Sequence, residues 1–393
     1  MVEPVVLIVI GLALTPLVSA NMVFLTETLW GARPARPGKL PNLVDPGSVV
    51  VLVPAHNEAA NLATVLRAQR ASLPAGMRLL VIADNCTDKT ADIARAAGFD
   101  VVERHDPSRR GKGFALAFGR AILADHPPEC VIVVDADTVP ALGSLERLAI
   151  GSLGLGRPVQ GAYILEPTIE HSPVARFSAA SFYVKNVVRQ LGGHRIGAPA
   201  VLTGSGMAFP WSIFAKLPLD TSHVAEDLML GVYGALNGAA PIFEPHAWII
   251  GEVSSTSGTA VQRRRWESGF VQVGCDYIKP LMARAFTLRE LSLVWLALHL
   301  GTPPLILLLA ADAAATLVAG AAWIAGTSAA AFTICLGMLV AAVAAVPFSL
   351  ACHGRLDLLR GWHEAPGYIL WKLRLSVVSI ICREQSWIRT DRE

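Results

Sequence analysis

Acidic residues in short pairs dominate the chemistry open to this sequence. Asp135 and Asp137 stand two apart, directly after the apolar run Val131–Val134. If that run is a strand, alternate residues face the same side, and both carboxylates can meet one hard divalent cation. Mg²⁺ or Mn²⁺ is typically held this way, by one or two carboxylates plus substrate phosphates. A loop cap or Asx-turn is the other use of such a pair. The chain carries no His/Cys cluster spaced for zinc. A second pair, Glu226-Asp227, opens the segment EDLMLGVYGAL, where helical spacing begins. A carboxylate at a helix N-terminus is stabilised by the dipole. It can serve only as a cap, or it can take a proton from an acceptor hydroxyl as a general base.

Gln262-Arg263-Arg264-Arg265-Trp266 follows a Ser/Thr/Gly-rich loop. On a helix, Gln262, Arg265 and Trp266 share a face. Arg265 could then clamp diphosphate oxygens, and Trp266 could stack on a sugar ring. A basic surface helix under anionic headgroups is the alternative. Arg110-Gly111-Lys112-Gly113 is glycine-rich and basic, suited either to phosphate or to a solvated turn, and Thr203–Met207 is a small-residue loop that lets backbone approach a substrate. No GxGxxG follows the first apolar run and no GxxxxGK[ST] occurs. A hydride-transferring dinucleotide enzyme or a P-loop ATPase is therefore not expected.

These residues need a scaffold. Strands are expected at Ser48–Val53, Leu79–Ala83, Phe99–Glu103 and Val131–Val134, and helices at Glu58–Gln69, Thr87–Ala97 and Gly113–Ala124. Thr87 could cap the second helix and Gly98 end it. Strand–helix alternation implies a parallel, doubly wound sheet, and ligands bind beyond the carboxyl ends of such strands. Three polar loops fall there: Pro54–Glu58, Asp84–Asp88 and Asp135–Asp137.

The chain has 393 residues, 53% hydrophobic and 16% charged, with net charge +2. This excludes a disordered, collagen-like or coiled-coil protein and argues against a wholly soluble one. No basic tail or aromatic-basic stripe marks nucleic-acid binding. The six cysteines form no CxxC pair and read as reduced thiols. The excess apolar content is concentrated. Residues 4–25 carry no charge and are long enough to cross a bilayer. Glu3, with no Lys or Arg before the run, favours an uncleaved anchor over a signal peptide. Leu291–Ala351 is apolar except for His299 and Asp312, with Pro303-Pro304 and Gly326–Ser328 as breaks. Basic residues follow both the first and last apolar stretches, so both flanks belong on the cytoplasmic side and two crossings are expected between residues 285 and 352. Asp312 falls inside a span, as a functional carboxylate or one in a wet seam. Residues 366–382 suit an interfacial amphipathic helix or a packed cytoplasmic one.

In order, PAHNE, ADNCTD, GKG, DAD, AED and QRRRW resemble the membrane-bound family 2 glycosyltransferases, which include cellulose, hyaluronan, chitin and poly-N-acetylglucosamine synthases. The resemblance covers roughly residues 48–270 and the placement of the flanking helices. It implies a GT-A fold (a Rossmann-like α/β domain with a mostly parallel sheet) and inverting transfer from a UDP-sugar. By resemblance, Glu58 and Asp84 hold the nucleoside, Lys112 belongs to the nucleotide-sugar site, and Asp135 and Asp137 hold diphosphate with Mg²⁺ or Mn²⁺. Asp227, beside Glu226, is the base, and Gln262, Arg265 and Trp266 close over diphosphate and acceptor. Ala225 stands where Thr is common before Glu-Asp, and Ala83 replaces the first Asp of an Asp-Asp pair. Both departures leave the chemical carboxylates in place.

The expected layout is a membrane helix in 1–29, a cytoplasmic GT-A domain in 30–285, two membrane helices in 286–352, and an interfacial helix and tail in 353–393. The expected setting is a bacterial inner membrane. Expected partners are a UDP-sugar, a polysaccharide or lipid acceptor, membrane lipid, and a partner subunit or second copy. Cell-surface polysaccharide synthesis is the first function. A single-sugar glycolipid synthase, like ceramide glucosyltransferase, is the second. A non-catalytic scaffold would be expected to have lost a carboxylate, and none is lost.

Overall fold

The computed structural model describes residues 2–36, 38, 45–167, 173–253 and 256–381. One eight-stranded sheet organises the α/β half, in the order β3-β2-β1-β4-β7-β6-β8-β5. The strands are β1 Val49–Ala55, β2 Arg78–Asp84, β3 Asp100–Arg104, β4 Cys130–Val133, β5 Thr138–Pro140, β6 Val159–Glu166, β7 Met207–Pro210 and β8 Ile242–Glu252. The four strands read from the sequence pair in parallel. Beyond β4 the sheet is mixed: β7 runs antiparallel to both β4 and β6, while β6 and β8 are parallel.

Continuous apolar runs form these strands because both faces of the sheet are covered. The period of two is explicit in β1. Val49, Val51 and Val53 face one core with Leu62, Leu66, Leu145 and Leu148. Val50 and Leu52 face the other, with Leu116, Leu123, Phe209 and Leu228.

The helices of this half are α2 Leu62–Ser72, α3 Thr90–Ala96, α4 Lys112–Leu123, α5 Ser144–Leu155, α6 Pro173–Tyr183, α7 Gln190–Arg195, α8 Trp211–Phe214 and α9 Glu226–Leu236, preceded by α1 Val2–Gly31. A π-helical turn, Val184–Arg189, joins α6 to α7. Helices α2 and α3 begin later than their apolar spacing suggests, because their leading residues hold two loops together. The amides of Asn57, Glu58 and Ala59 donate to Cys86 Sγ, Thr90 Oγ1 and Asp88 Oδ2. Asp88, not Thr87, accepts from the Thr90 amide at the start of α3. Gly98, at φ +77°, follows the end of α3 as expected.

Helix α10, Thr256–Leu288, leads to α11 Leu291–Gly301, α12 Leu305–Ile324, α13 Ala330–Cys352 and α14 Ala365–Ile381. Among the described residues, α12 and α13 are long and apolar enough to cross a membrane. Pro303-Pro304 separates the shorter apolar α11 from α12, as the sequence suggests. Asp312 on α12 is fully buried, and its Oδ1 accepts a bond from Asn21 Nδ2 on α1 at 2.8 Å. α14 packs one face against α10, burying Tyr368, Lys372 and Ser376.

Helix α1 meets the α/β half backbone to backbone. A Cβ on Gly192 would lie 1.8 Å from Glu27 O, and one on Gly31 would lie 1.8 Å from Val188 O. Neither can exist without separating the helices. Gly192→Val should therefore cost about 3 kcal/mol or more, at or beyond the usual overpacking range. The check is thermal unfolding of the full chain in detergent, with Gly154→Ala, where a Cβ meets nothing within 4 Å, as the neutral reference.

Candidate active site

The carboxyl ends of β1, β2 and β4 open into a cleft. β1 delivers Glu58, β2 delivers Asp84, and the turn after β4 delivers Asp135 and Asp137. The start of α4 adds Lys112, the start of α9 adds Glu226 and Asp227, and α10 adds Arg265 and Trp266. All nine line the cleft. The side chain of Gln262 lies outside the described residues, though its backbone belongs to α10.

Lys112 is the electrostatic centre. Its ammonium donates to Asp135 Oδ1 and, at 2.6 Å, to Gly204 O. Burial alone would push the Lys112 pKa down, but the charges of Asp135, Glu226 and Asp227 outweigh it and raise it. Asp135 is pushed up, first by burial and also by Asp137 and Asp227, with Lys112 opposing. Burial, then the neighbouring Asp227, pushes Glu226 up to about 7.

Gly204 has φ +93°, and a Cβ there would lie 3.2 Å from Asp227 Oδ2, 3.6 Å from Lys112 Nζ and 3.7 Å from Asp135 Oδ2. Glycine at this position keeps the space between the two carboxylates and the cation clear, and also meets the backbone demand. The small-residue loop noticed in the sequence thus has a defined place. Asp227 Oδ1 accepts from the Leu228 amide at 2.8 Å.

A hard divalent cation fits this donor set. Asp135 and Asp137 present carboxylate oxygens to one cleft. No group of three or more His, Cys, Asp or Glu ligands occurs among the described residues. A cation held here would therefore complete its shell with water and substrate phosphate oxygens, as Mg²⁺ usually does.

Several residues of the site escape a reading of the sequence. Arg104 Nη1 donates to Asp84 Oδ1 at 2.6 Å, with both side chains 9% exposed. The ring of His56 bonds the Asp84 carbonyl at 2.6 Å. Tyr163, on β6, lines the cleft and meets Phe182 edge-on with centroids 5.0 Å apart. Phe182 in turn contacts Trp266 at 5.5 Å. Only a tyrosine inside an apolar strand signalled this aromatic row. Ala225 also gains a physical reading: a Cβ on Gly269 of α10 would lie 2.7 Å from Ala225 Cβ, so a small residue before Glu226 permits α10 to approach.

Comparison with known proteins agrees with this geometry. A family profile described as glycosyltransferase like family 2 matches residues 46–269. Uncharacterized glycosyltransferases of Mycobacterium tuberculosis and Mycobacterium bovis are 36% identical over 124 residues, which is 30% of this chain and 52% of theirs. The chain thus spans about half the length of these curated relatives. A mannosyltransferase of Pyrobaculum calidifontis, solved with GDP-mannose and Mn²⁺, superposes with TM-score 0.51 at 22% identity, covering 85% of this chain and 96% of that one. Glucosyl-3-phosphoglycerate synthase of Mycobacterium tuberculosis, solved with Mn²⁺ and UDP, gives TM-score 0.40 at 20% identity over 61% of this chain and 85% of that one. The fold is the GT-A α/β arrangement, and with the profile spanning more than half of its residues the chain belongs to the family 2 glycosyltransferases.

Proposed function

We propose that the protein transfers a sugar, with inversion, from a UDP-sugar to the hydroxyl of a lipid acceptor at the cytoplasmic face of a bacterial inner membrane. The carrying observation is the placement of Asp227 Oδ2, Lys112 Nζ and Asp135 Oδ2 around Gly204, in one cleft with Arg265 and Trp266.

Asp227 takes the proton of the acceptor hydroxyl as its oxygen attacks the anomeric carbon. One displacement at that carbon turns an α-linked donor into a β-linked product, so no second carboxylate nucleophile is needed. Glu58 and Asp84 face the nucleoside, and Arg104 fixes the Asp84 carboxylate. Lys112 holds Asp135 ready for the diphosphate end. Asp135 and Asp137 would hold Mg²⁺ or Mn²⁺, which when bound neutralises charge on the departing UDP. Gln262, Arg265 and Trp266 close over diphosphate and acceptor. Helix α1, α12 and α13 anchor the catalytic half, residues 30–285, to the membrane.

The QRRRW segment favours a second reading, synthesis of a cell-surface polysaccharide, in which a partner subunit or second copy would complete the export path. One experiment separates the two. Membranes holding the protein are given radiolabelled UDP-sugars with Mg²⁺ or Mn²⁺, and products are sorted by solvent extraction and size. Label in a single-sugar organic-phase product is expected, and EDTA should abolish it, with Mn²⁺ restoring it. A high-mass, glycosidase-sensitive product would establish the polymer reading instead.

A further inference from the structure

At the end of α1, three arginines from two distant segments line one hollow. Arg33 and Arg36 follow α1, Arg195 ends α7, and Leu29, Trp30 and Pro34 complete the wall. None of these residues lines the cleft at the sheet edge. All three arginines are exposed. Arg195 Nη1 donates to Trp30 O, which holds its guanidinium against the end of α1. Burial, and then the charge of Arg33, pushes the Arg195 pKa down. No carboxylate lines the hollow, and among the described residues none pairs with any of the three arginines. Like charges gathered in one concavity without a counter-charge concentrate anions there.

The level of the hollow points to the source of the anion. His353, one residue past α13, donates from Nε2 to Gly31 O at 3.0 Å. Helix α13 is long and apolar enough to cross a membrane, so the end of α1 lies level with the end of a membrane-crossing helix. At this level Trp30 is 58% and Leu29 48% exposed. Tryptophan is enriched where a protein passes through the headgroup layer. Basic pockets beside membrane helices on the cytoplasmic side take anionic headgroups. The three cations are all arginine, whose planar fork meets phosphate oxygens in pairs.

We infer that this hollow binds the headgroup of an anionic phospholipid of the cytoplasmic leaflet, its phosphate held by Arg33, Arg36 and Arg195. The lipid is a bound ligand and not the acceptor of the sugar. The inference rests on the membrane anchoring of the proposed reading and is independent of the transfer chemistry. Helix α1 already touches the π-helical turn and α7 through Gly31 and Gly192. A phosphate shared between Arg33 and Arg36 on one side and Arg195 on the other ties the same two segments a second time. It thereby fixes how the α/β half stands on the membrane.

The test follows thermal unfolding of the full chain in a neutral detergent as a ligand is added, since a ligand of the folded state raises the unfolding temperature with its concentration. The probes are dioctanoyl phosphatidylglycerol, dioctanoyl phosphatidylcholine and glycerol 3-phosphate. Phosphatidylglycerol should stabilise the protein well beyond phosphatidylcholine, and glycerol 3-phosphate should do little. Arg33 and Arg36 make no hydrogen bond among the described residues, so their substitution leaves the fold in place. Arg33→Gln and Arg36→Gln should each raise the Kd for phosphatidylglycerol about tenfold, equivalent to one lost hydrogen bond between charged groups. Each variant is read against its own lipid-free unfolding temperature. Arg33→Lys should restore part of the affinity. Arg67→Gln, which removes an exposed arginine on α2, should leave it unchanged. Equal stabilisation by phosphatidylglycerol and phosphatidylcholine would overturn the inference, as would an Arg33→Gln protein that behaves like Arg67→Gln. Stabilisation by glycerol 3-phosphate equal to that by the lipid would overturn the lipid part. Release of the wild-type protein from membranes by alkaline carbonate would instead overturn the anchoring beneath it.

Discussion

Asp227→Asn is expected to reduce sugar transfer by roughly 10²–10⁴-fold, the usual contribution of a positioned general base, while UDP still binds. The argument starts from the start of α9. There Asp227 Oδ1 already accepts the Leu228 amide, and Oδ2 faces Gly204, Lys112 and Asp135. Asparagine keeps the oxygen that caps the helix and replaces the other with an amide NH₂. The helix start, the shape and the packing survive, and only the capacity to take a proton is lost. Transfer of radiolabel from the UDP-sugar gives the rate, and displacement of a fluorescent UDP analogue gives the binding. Were Asp227 only a cap, the substitution would change stability slightly and leave turnover intact. That result would remove the base from the mechanism.

Much of this arrangement was legible in the sequence, for physical reasons that also explain what was not. The runs Val49–Val53, Leu79–Ala83 and Val131–Val134 are apolar without interruption, because parallel strands covered on both faces leave no polar side. Their polar terminal residues then had to lie at one sheet edge, and Glu58, Asp84, Asp135 and Asp137 do. Glu226-Asp227 was placed at a helix start by the onset of helical spacing. The rest depends on contacts between segments distant in the chain. The mixed half of the sheet could not be read, since β6, β7 and β8 are separated by long connections and pair out of order. Arg104 ends a strand whose pattern resembles any half-buried edge, and only the fold carries it to Asp84. Lys112 looked like part of a basic turn, and the sequence held no sign that it spans from α4 to Asp135 and Gly204. Apolar spacing overextends the first turns of α2 and α3 because propensity does not register the amides spent on Cys86, Thr90 and Asp88. Residues 366–382 carry two readings, an interfacial helix and a packed one; in the structure α14 buries Tyr368, Lys372 and Ser376 against the protein and leaves Leu370 exposed.

Lys112→Met should have the other large effect, and its signature is a change with pH. The single ammonium lies among three carboxylates, bonded to Asp135 and within the field of Glu226 and Asp227. Removing one partner of such a pair leaves an uncompensated charge, at about 3–5 kcal/mol when fully buried. This cleft is partly open, with Lys112 and Asp135 side chains 17% and 27% exposed, so about 2 kcal/mol is a fairer expectation for stability after solvent screening. Burial already raises Asp135, and raises Glu226 to about 7, with Lys112 opposing both. Without Lys112 both carboxyls must rise further. A carboxyl whose folded pKa is raised contributes stability that is fully present below its unfolded pKa and is lost as pH climbs through the folded value. For Glu226 that window runs from 4.5 to about 7 in the native protein and extends higher in the variant. Thermal unfolding of metal-free protein from pH 4 to pH 8.5 should therefore show the variant close to wild type at the acid end. The two should diverge as pH rises, the variant becoming the less stable. Transfer should fall at least about 10²-fold, since a diphosphate would meet a repelling cluster with its cation gone. Higher Mn²⁺ should recover part of that loss by supplying positive charge at Asp135. Unfolding curves that stay parallel across this range would mean that Lys112 does not hold the carboxylates down, and the electrostatic account of the cleft would have to be abandoned.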